Sequence, residues 1–258
     1  SLPDDAFQKL VKEIADVARH AIQIGVHSTS RLEQFSEEAL RARRRLRVHL
    51  NIDTGMGRLG LPAHEAERAA GAVLAAPGLE LAGIYTHFAH QSQASLPANL
   101  RQEATFKAVV AGLRARGLLP RTALVHAASS ASLFAGVGLG FDAVRPGLAA
   151  YGLLPEPGPG ASELEPVLAL RTQIIFYKDV AEGTPIGYEG SWRAPAATRI
   201  ATVPAGYNDG VPWRLGMEGH GAALLKGRRV PYAGRVTMDY LCLDLGSIPG
   251  ARIGDTVT

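Results

Sequence analysis

The stretch RVHLNIDTGMGRLG, residues 47–60, decides how this chain is interpreted. In its first half Val48, Leu50 and Ile52 alternate with polar residues, which predicts a half-buried β-strand. The glycines of TGMG (54–57) then permit positive φ angles and a close approach of the backbone to a ligand. Arg58 follows this turn directly. A strand that delivers an arginine into a glycine turn is typical of anion sites in α/β barrels.

On either side of this stretch, predicted strands alternate with predicted helices. The strands are at 22–28, 47–53, 81–88, 123–129 and 143–152, and the helices at 3–20, 62–76 and 97–116, with one more helix opened by a capping box of Ser30 and Glu33. This order predicts a parallel sheet with right-handed crossovers. A closed (β/α)₈ TIM barrel needs eight strands. We therefore expect about five βα units of such a barrel here, with three further units preceding Ser1.

A change of pattern follows the proline- and glycine-rich segment LLPEPGPGASE (153–163). Beyond it, short alternating runs are separated by glycine and proline turns, with no long helical period. This predicts a mostly antiparallel β domain. We expect a partial TIM barrel over residues 1–160 and the β domain over 161–258. The final GDTVT has the pattern of a strand, so we expect this domain to be incomplete at its end.

Composition excludes several classes of protein. The 258 residues are 47% hydrophobic and 20% charged with a net charge of +3, as in soluble globular proteins. Since no run of about eighteen apolar residues occurs, we expect no membrane partner. The basic run RARRRLR (41–47) ends a predicted helix without interleaved aromatics, so we expect no nucleic-acid partner. The single Cys242 lies in an alternating strand, which favours a core residue over a nucleophile. A lone cysteine cannot form an internal disulfide, which fits a reducing compartment and predicts a cytoplasmic location.

Six further motifs are spaced along the chain: GIYTHFAH (83–90), VHAASSAS (125–132), VRPGLAAYG (144–152), PIGYEGSW (185–192), PAGYNDG (204–210) and GRVTMDY (234–240). Together with residues 51–60 they resemble, in order, the alanine racemase family, whose members have a barrel followed by a β domain. The resemblance implies pyridoxal phosphate as the cofactor, no metal and a small amino-acid substrate. The implied reaction interconverts L- and D-alanine for bacterial cell-wall peptidoglycan.

For the barrel, the resemblance implies a cofactor site. Arg145 faces the pyridine nitrogen and keeps it unprotonated, since arginine does not readily yield a proton. His126 bonds this arginine. Ser130, Gly147 and Leu148 bind the phosphate through hydroxyl and backbone N–H groups, although the serine pair 129–130 by itself favours a helix cap. Arg58 lies beside the phenolic oxygen of the cofactor and the substrate carboxylate.

For the β domain, the resemblance implies that the partner subunit completes each site of a homodimer. Tyr188 acts as a catalytic base on one face of the α-carbon, and His87 bonds and orients it. A phenol needs nearby cations to act as a base near neutral pH. Met238 and Asp239 line the carboxylate pocket, and Tyr207 belongs to the substrate entryway.

The chain departs from the family pattern at three positions and lacks one expected group. Asn51 replaces a carbamylated lysine of many members; its amide can bond Arg58 but cannot neutralise it, a role left to an anion such as chloride. Ser129 replaces an asparagine, and Glu189, expected to face solvent, replaces a smaller or neutral residue. No lysine follows a predicted barrel strand, so we expect the cofactor lysine upstream of Ser1; the lysines present are Lys9, Lys12, Lys107, Lys178 and Lys226.

Three alternative functions stay open. The first is an amino-acid racemase of broad specificity, because sequence does not size the pocket. The second is a decarboxylase of the same fold, which would place an acidic residue opposite the pyridine nitrogen and a catalytic cysteine in the β domain; Arg145 and the setting of Cys242 argue against it. The third is a non-catalytic pyridoxal-phosphate-binding protein. Such carriers are single barrels, so the segment after residue 163 argues against this one.

Overall fold

A parallel sheet with helices between its strands forms the first part of the chain. The computed structural model describes residues 13–89, 92, 95–154, 156, 160–216, 219, 221–246, 248 and 250–258. It divides the chain into two compact units, Ser1–Val167 and Leu168–Thr258. Within the described ranges, no helix combines the length and the apolar character needed to cross a membrane.

The first unit is part of a (β/α)₈ barrel, which confirms the predicted fold class. Its elements are α1 (residues 13–19), β1 (Ile24–Val26), α2 (Leu32–Arg41), β2 (Leu46–Asp53), β3 (Leu61–Pro62), α3 (Ala66–Ala75), β4 (Leu79–Tyr85), α4 (Leu96–Ala115), β5 (Leu124–Ser129), α5 (Ser130–Phe134) and β6 (Ala143–Arg145). The strands pair in parallel in the order β1-β2-β4-β5-β6, with β3 beside β2. The first ten residues of the helix predicted at 3–20 lie outside the described residues.

The predicted alternation of β2 is what fixes the core of this unit. Its apolar residues Leu46, Val48, Leu50 and Ile52 are all fully buried and join Val73 of α3 and Phe106 of α4 in one cluster. Burial of each such side chain stabilises the fold by about 1.5–3 kcal/mol. The alternate residues of the strand point to the opposite face of the sheet. The same face receives polar residues from β4, β5 and β6.

Two sequence predictions in this unit are wrong. The strand predicted at 143–152 ends at Arg145 because Pro146 has no N–H for the ladder, and Leu148–Tyr151 form a 3₁₀ turn instead. The capping box of Ser30 and Glu33 is also absent. The N-cap of α2 is Arg31 and has no side-chain cap. The Ser30 hydroxyl lies 3.0 Å from Oγ of Ser28, a local bond that competes with capping.

The second unit is built from antiparallel strands, as predicted. Its strands are β7 (Thr172–Gln173), β8 (Phe176–Val180), β9 (Pro185–Ile186), β10 (Trp192–Arg193), β11 (Thr198–Val203), β12 (Ala222–Leu225), β13 (Arg228–Pro231), β14 (Leu241–Asp244) and β15 (Thr256–Val257). They form the sheets β14-β11-β8 and β13-β12-β15-β7 and the hairpin β9-β10. Strand β15 is the one predicted in GDTVT. Burial raises the pKa of Cys242 in β14, which disfavours the nucleophilic thiolate.

Candidate active site

Arg145, the last residue of β6, is held by the ends of two neighbouring strands, β4 and β5. Its Nη1 lies 2.8 Å from Nδ1 of His126 in β5. Its Nη2 donates to the carbonyl oxygens of Thr86, just past β4, and Ala127, each at 2.9 Å. A guanidinium has five N–H donors. In the part of the chain that the structure describes, these contacts use three of them, which leaves one N–H on Nη1 and the one on Nε for a ligand.

The surroundings of Arg145 are aromatic and partly buried. The Tyr85 ring stacks on His126 at 5.1 Å between centroids, and the guanidinium carbon lies 5.2 Å from the Tyr85 centroid. Burial lowers the pKa of Arg145, opposed by its attraction to Tyr85, while burial raises the pKa of Tyr85 despite the nearby Arg145. Both groups keep their protons near neutral pH, so the site presents a cation against a neutral phenol.

A series of side-chain hydrogen bonds extends from His126, the partner of Arg145, through His49 to Gln23. Nε2 of His126 lies 2.9 Å from Nδ1 of His49, and Nε2 of His49 lies 2.6 Å from Oε1 of Gln23. An arginine can only donate, so His126 accepts at Nδ1. If neutral, it donates from Nε2 to His49, which in turn donates to Gln23. Each hydrogen bond in the series is therefore donated in the same direction, from Arg145 towards Gln23.

The imidazoles of His126 and His49 in this series of hydrogen bonds are both neutral near pH 7. Burial, then the positive charge of Arg145, lowers the pKa of His126 to about 4. Burial, then Arg47, lowers the pKa of His49. Sequence reasoning identified His126 and missed His49 and Gln23. The strand alternation could have placed His49 on the face of β2 that Asn51 shares, but no sequence signal marks Gln23.

Gly83 of β4 provides the space that His49 occupies. A Cβ built at this glycine would lie 2.2 Å from Nδ1 of His49 and 2.8 Å from the carbonyl oxygen of Leu124. Both separations are too short for any side chain, so glycine is required here for close approach. The resemblance to the family placed Gly83 in a motif, and the structure supplies the physical reason.

His87, the predicted partner of Tyr188, lies beside Arg145. Its Nδ1 is 3.4 Å from Nη2, the longest contact of that guanidinium nitrogen. Burial lowers the pKa of His87, and Arg145 and then Arg58 add to the effect. The imidazole is thus neutral near pH 7. With Nδ1 turned to the arginine, its Nε2–H is the group that can donate to another residue.

Ser130, Gly147 and Leu148, predicted to bind phosphate, meet at the loop after β6. Ser130 Oγ accepts the N–H groups of Gly147 at 2.9 Å and Ala149 at 3.1 Å. Leu148 lies between them with an exposed side chain. The helix cap falls to Ser129, the N-cap of α5, whose N–H donates to Ser132 Oγ at 2.9 Å. The cap is therefore formed by Ser129, while the Ser130 hydroxyl bonds the loop after β6.

The TGMG turn after β2 is held by a residue that sequence reasoning missed. Oδ1 of Asp53 accepts the N–H groups of Gly55, Met56 and Gly57 at 2.8–3.1 Å. Burial acts to raise the pKa of Asp53, but these backbone hydrogen bonds outweigh it and lower the pKa. Gly55 and Gly57 have φ angles of +136° and +69°, as the sequence predicted.

Arg58 is exposed just after this turn, and the side chain of Asn51 bonds other partners. Nδ2 of Asn51 lies 3.0 Å from Nδ1 of His27 and 3.2 Å from the carbonyl oxygen of Leu59. Burial lowers the pKa of His27, so a neutral imidazole accepts this bond. Among the described residues, the structure shows no hydrogen bond between Asn51 and Arg58. Its amide is therefore committed to the barrel interior.

A cleft of about 540 Å³ in the second unit contains three of the predicted site residues, Tyr188, Tyr207 and Met238. Tyr188 follows β9 at the tip of the β9-β10 hairpin and is 69% exposed. Asp239 is exposed next to Met238, whose carbonyl oxygen accepts the N–H of Asn208 at 3.0 Å. The other residues that line the cleft are Glu189, Trp213, Arg235, Val236 and Thr237.

Comparison with known proteins assigns this arrangement to a family. The model of the alanine racemase N-terminal domain matches residues 8–155, and that of the alanine racemase C-terminal domain matches residues 167–258. The chain belongs to the alanine racemase family. The segment between the two matches, 156–166, contains most of the linker found in the sequence.

The alanine racemase of Sorangium cellulosum is 37% identical over 255 residues, 98% of this chain and 64% of the relative. The crystal structure of alanine racemase from D-cycloserine-producing Streptomyces lavendulae has a TM-score of 0.84 at 30% identity, covering 95% of this chain and 64% of that one. The structure from Bacillus anthracis, described as having bound L-Ala-P, has a TM-score of 0.77 at 32% identity, with 96% and 63% covered. This alanine racemase family chain thus spans less than two thirds of the length of these relatives.

Proposed function

We propose that the protein containing these residues is a pyridoxal-phosphate-dependent alanine racemase that interconverts L- and D-alanine. The observation that carries the proposal is the geometry of Arg145. The ends of β4 and β5 fix its guanidinium through three hydrogen bonds, and two of its N–H groups stay available to a ligand. A rigid cation with spare donors suits a pyridine nitrogen that must remain an acceptor.

The donors at the end of the sheet fit the other parts of this cofactor. The Ser130 hydroxyl and the N–H groups of Gly147 and Leu148 would hold the phosphate, with the amide of Gly147 exchanging its present bond to Ser130 for one to the ligand. Arg58 would lie beside the phenolic oxygen. When bound, pyridoxal phosphate supplies the electron-withdrawing ring that makes the α-proton of an amino acid removable.

Arg145 then sets the kind of reaction. It would donate a hydrogen bond to the ring nitrogen without protonating it, so the ring would withdraw electrons only moderately. This would favour return of the proton to the α-carbon over side reactions such as transamination. The neutral His126 and His49 support this role, because a protonated imidazole behind the guanidinium would repel it.

Tyr188 would remove or return the α-proton on one face of the substrate. The neutral His87 can donate from Nε2 to the phenol oxygen and so orient it. Met238 and Asp239 would line the pocket for the substrate carboxylate, and Tyr207 its entrance. We propose that the chain consists of a barrel domain, residues 1–160, and a β domain, residues 161–258. The β-domain groups at each site would come from the partner subunit of a homodimer. The D-alanine produced would serve peptidoglycan synthesis, with the enzyme in the cytoplasm.

D-alanine formation tests the proposal. The polypeptide that carries these residues, extended over the full length of its relatives and supplied with pyridoxal phosphate, is incubated with L-alanine, and D-alanine is measured by chiral chromatography. We expect alanine to be the preferred substrate among small amino acids. Equal turnover of many amino acids would instead indicate a broad racemase, amine and CO₂ release a decarboxylase, and binding without turnover a carrier.

A further inference from the structure

Glu189, directly after Tyr188, adopts a backbone conformation that favours glycine. Its φ is +60°, where a Cβ crowds the backbone. Its neighbours Gly187 and Gly190 have φ angles of +73° and +56°. Three of these four tip residues are therefore left-handed, and only two of the three are glycines. A glutamate in this conformation carries backbone strain that the surrounding contacts must offset.

One such contact is an ion pair with Arg235. Nη2 of Arg235 donates to Oε2 of Glu189 at 3.0 Å, between residues 46 positions apart. Next to Arg235, a Cβ at Gly234 would lie 3.0 Å from the carbonyl oxygen of Ile186 in β9. The hairpin tip therefore rests on the segment 234–235 through one close backbone approach and one charged hydrogen bond.

Both partners line the cleft that contains Tyr188. Nε of Arg235 is buried and has no hydrogen-bond partner among the described residues. Among the described residues that line the cleft, Tyr207 is the other titratable group. Loss of either partner of the pair would leave one uncompensated charge in the cleft that Tyr188 lines and would remove the contact that holds the strained tip.

We propose that Glu189 and Arg235 are positioning residues for Tyr188: their ion pair fixes the strained hairpin tip and balances the charge around the phenol. The inference rests on the proposed function only in giving Tyr188 a catalytic role. Glu189 is exposed to solvent, as expected, with 74% of its side chain accessible, and its carboxylate is in addition paired with Arg235.

A spectroscopic test needs no catalysis. 3-Fluorotyrosine in the 258-residue chain gives one ¹⁹F resonance for each of the seven tyrosines, and Tyr188→Phe assigns the one of interest. Glu189→Gln, Glu189→Arg and Arg235→Glu should each move and broaden the Tyr188 resonance. The charge-reversed double variant Glu189→Arg with Arg235→Glu should return it towards the wild-type position, since the pair is rebuilt.

A second ion pair of the same unit serves as the control. Asp179 and Arg199 are joined at 2.7 Å with exposures of 72% and 42%, comparable to the 74% and 33% of Glu189 and Arg235. Asp179→Asn should leave the Tyr188 resonance unmoved. Glu189→Gly separates strain from charge: glycine suits the left-handed backbone, so stability to urea should hold or rise, while the resonance should still move as in Glu189→Gln.

Additive shifts in the double variant, or an unmoved Tyr188 resonance in Glu189→Gln, would overturn the proposal. In the complete enzyme Glu189→Gln should lower kcat about three- to tenfold with little change in KM, and charge reversal should restore part of it. If the spectroscopic coupling is present but Tyr188→Phe keeps full activity, the positioning pair stands and the catalytic role of Tyr188 fails.

Discussion

At the scale of single residues, the proposed chemistry depends on which side chains are neutral. Four histidines of the barrel unit have lowered pKa values, and burial is the largest cause for each: His27, His49, His87 and His126. Sequence alone identified His87 and His126 through their motifs. It could not give their protonation, because that depends on burial and on the distance to Arg145.

The pH dependence of stability follows from these shifts. A histidine with a pKa near 6.5 when unfolded and about 4 when folded binds its proton more readily in the unfolded chain. The stabilisation from neutral His126 is therefore complete above about pH 6.5 and is lost as the pH falls towards 4. We expect the free energy of unfolding to decrease over this interval, measured by urea denaturation at pH 7 and pH 4.5.

His126→Asn is the matched variant for this prediction. Asparagine can accept the bond from Arg145 but does not titrate. Its stability should fall less between the two pH values than that of the wild type. An identical fall in both proteins would mean that His126 does not titrate in the way its surroundings indicate.

Arg145→Glu tests the role of the arginine in the complete enzyme. A carboxyl group can share a proton with the ring nitrogen, so electron withdrawal increases and side reactions are less suppressed. We expect the rate of D-alanine formation to fall on the order of 10²-fold, the size of effect of losing an essential catalytic contact. Pyruvate formed by transamination should rise. Arg101→Glu on the exposed face of α4 is the control for the change in charge, and equal effects of both would remove Arg145 from the ring.

At the scale of the element, the sequence predicted most strands but not all of their limits. Apolar alternation is strong in β2, because Leu46, Val48, Leu50 and Ile52 face one core. It is misleading in 143–152, where a proline and two N–H groups bonded to Ser130 end the strand. These two hydrogen bonds join residues seventeen and nineteen positions apart, so a local sequence pattern cannot show them. The contact of Glu189 with Arg235 was missed for the same reason.

Gly83→Ala tests the packing of β4 against His49. The added methyl group would collide with the imidazole and with a carbonyl oxygen, so the ring must move and the bond to His126 breaks. We expect the barrel unit to lose about 1–3 kcal/mol of stability, as for an overpacked core. Gly112→Ala in α4 meets no atom within 4 Å. It should raise stability by about 0.5–1 kcal/mol. Urea denaturation distinguishes the two, and a tolerated Gly83→Ala would contradict the packing.

At the scale of the whole molecule, the sequence predicted a partial barrel and an antiparallel β domain, and both are confirmed. The domain limit at residue 160 stays a prediction; the two compact units divide between Val167 and Leu168. The barrel residues around Arg145 and the cleft around Tyr188 lie in different units. The resemblance to the alanine racemase family, carried by motifs in the same order, placed both sets of residues in one hypothesis. The periodicity of strands and helices could not have done so, because it relates only residues close together in sequence.

We propose that these two sets of residues, supplied by different protomers, move the α-proton of alanine. The most direct measurement mixes two disabled forms of the complete enzyme, Arg145→Glu and Tyr188→Phe, after each has been shown to be inactive by itself. A hybrid dimer has one site with both changes and one with neither. Random pairing should therefore restore about a quarter of the wild-type rate of D-alanine formation. If hybrids form, as shown by native mass spectrometry, and no activity returns, the shared site is contradicted.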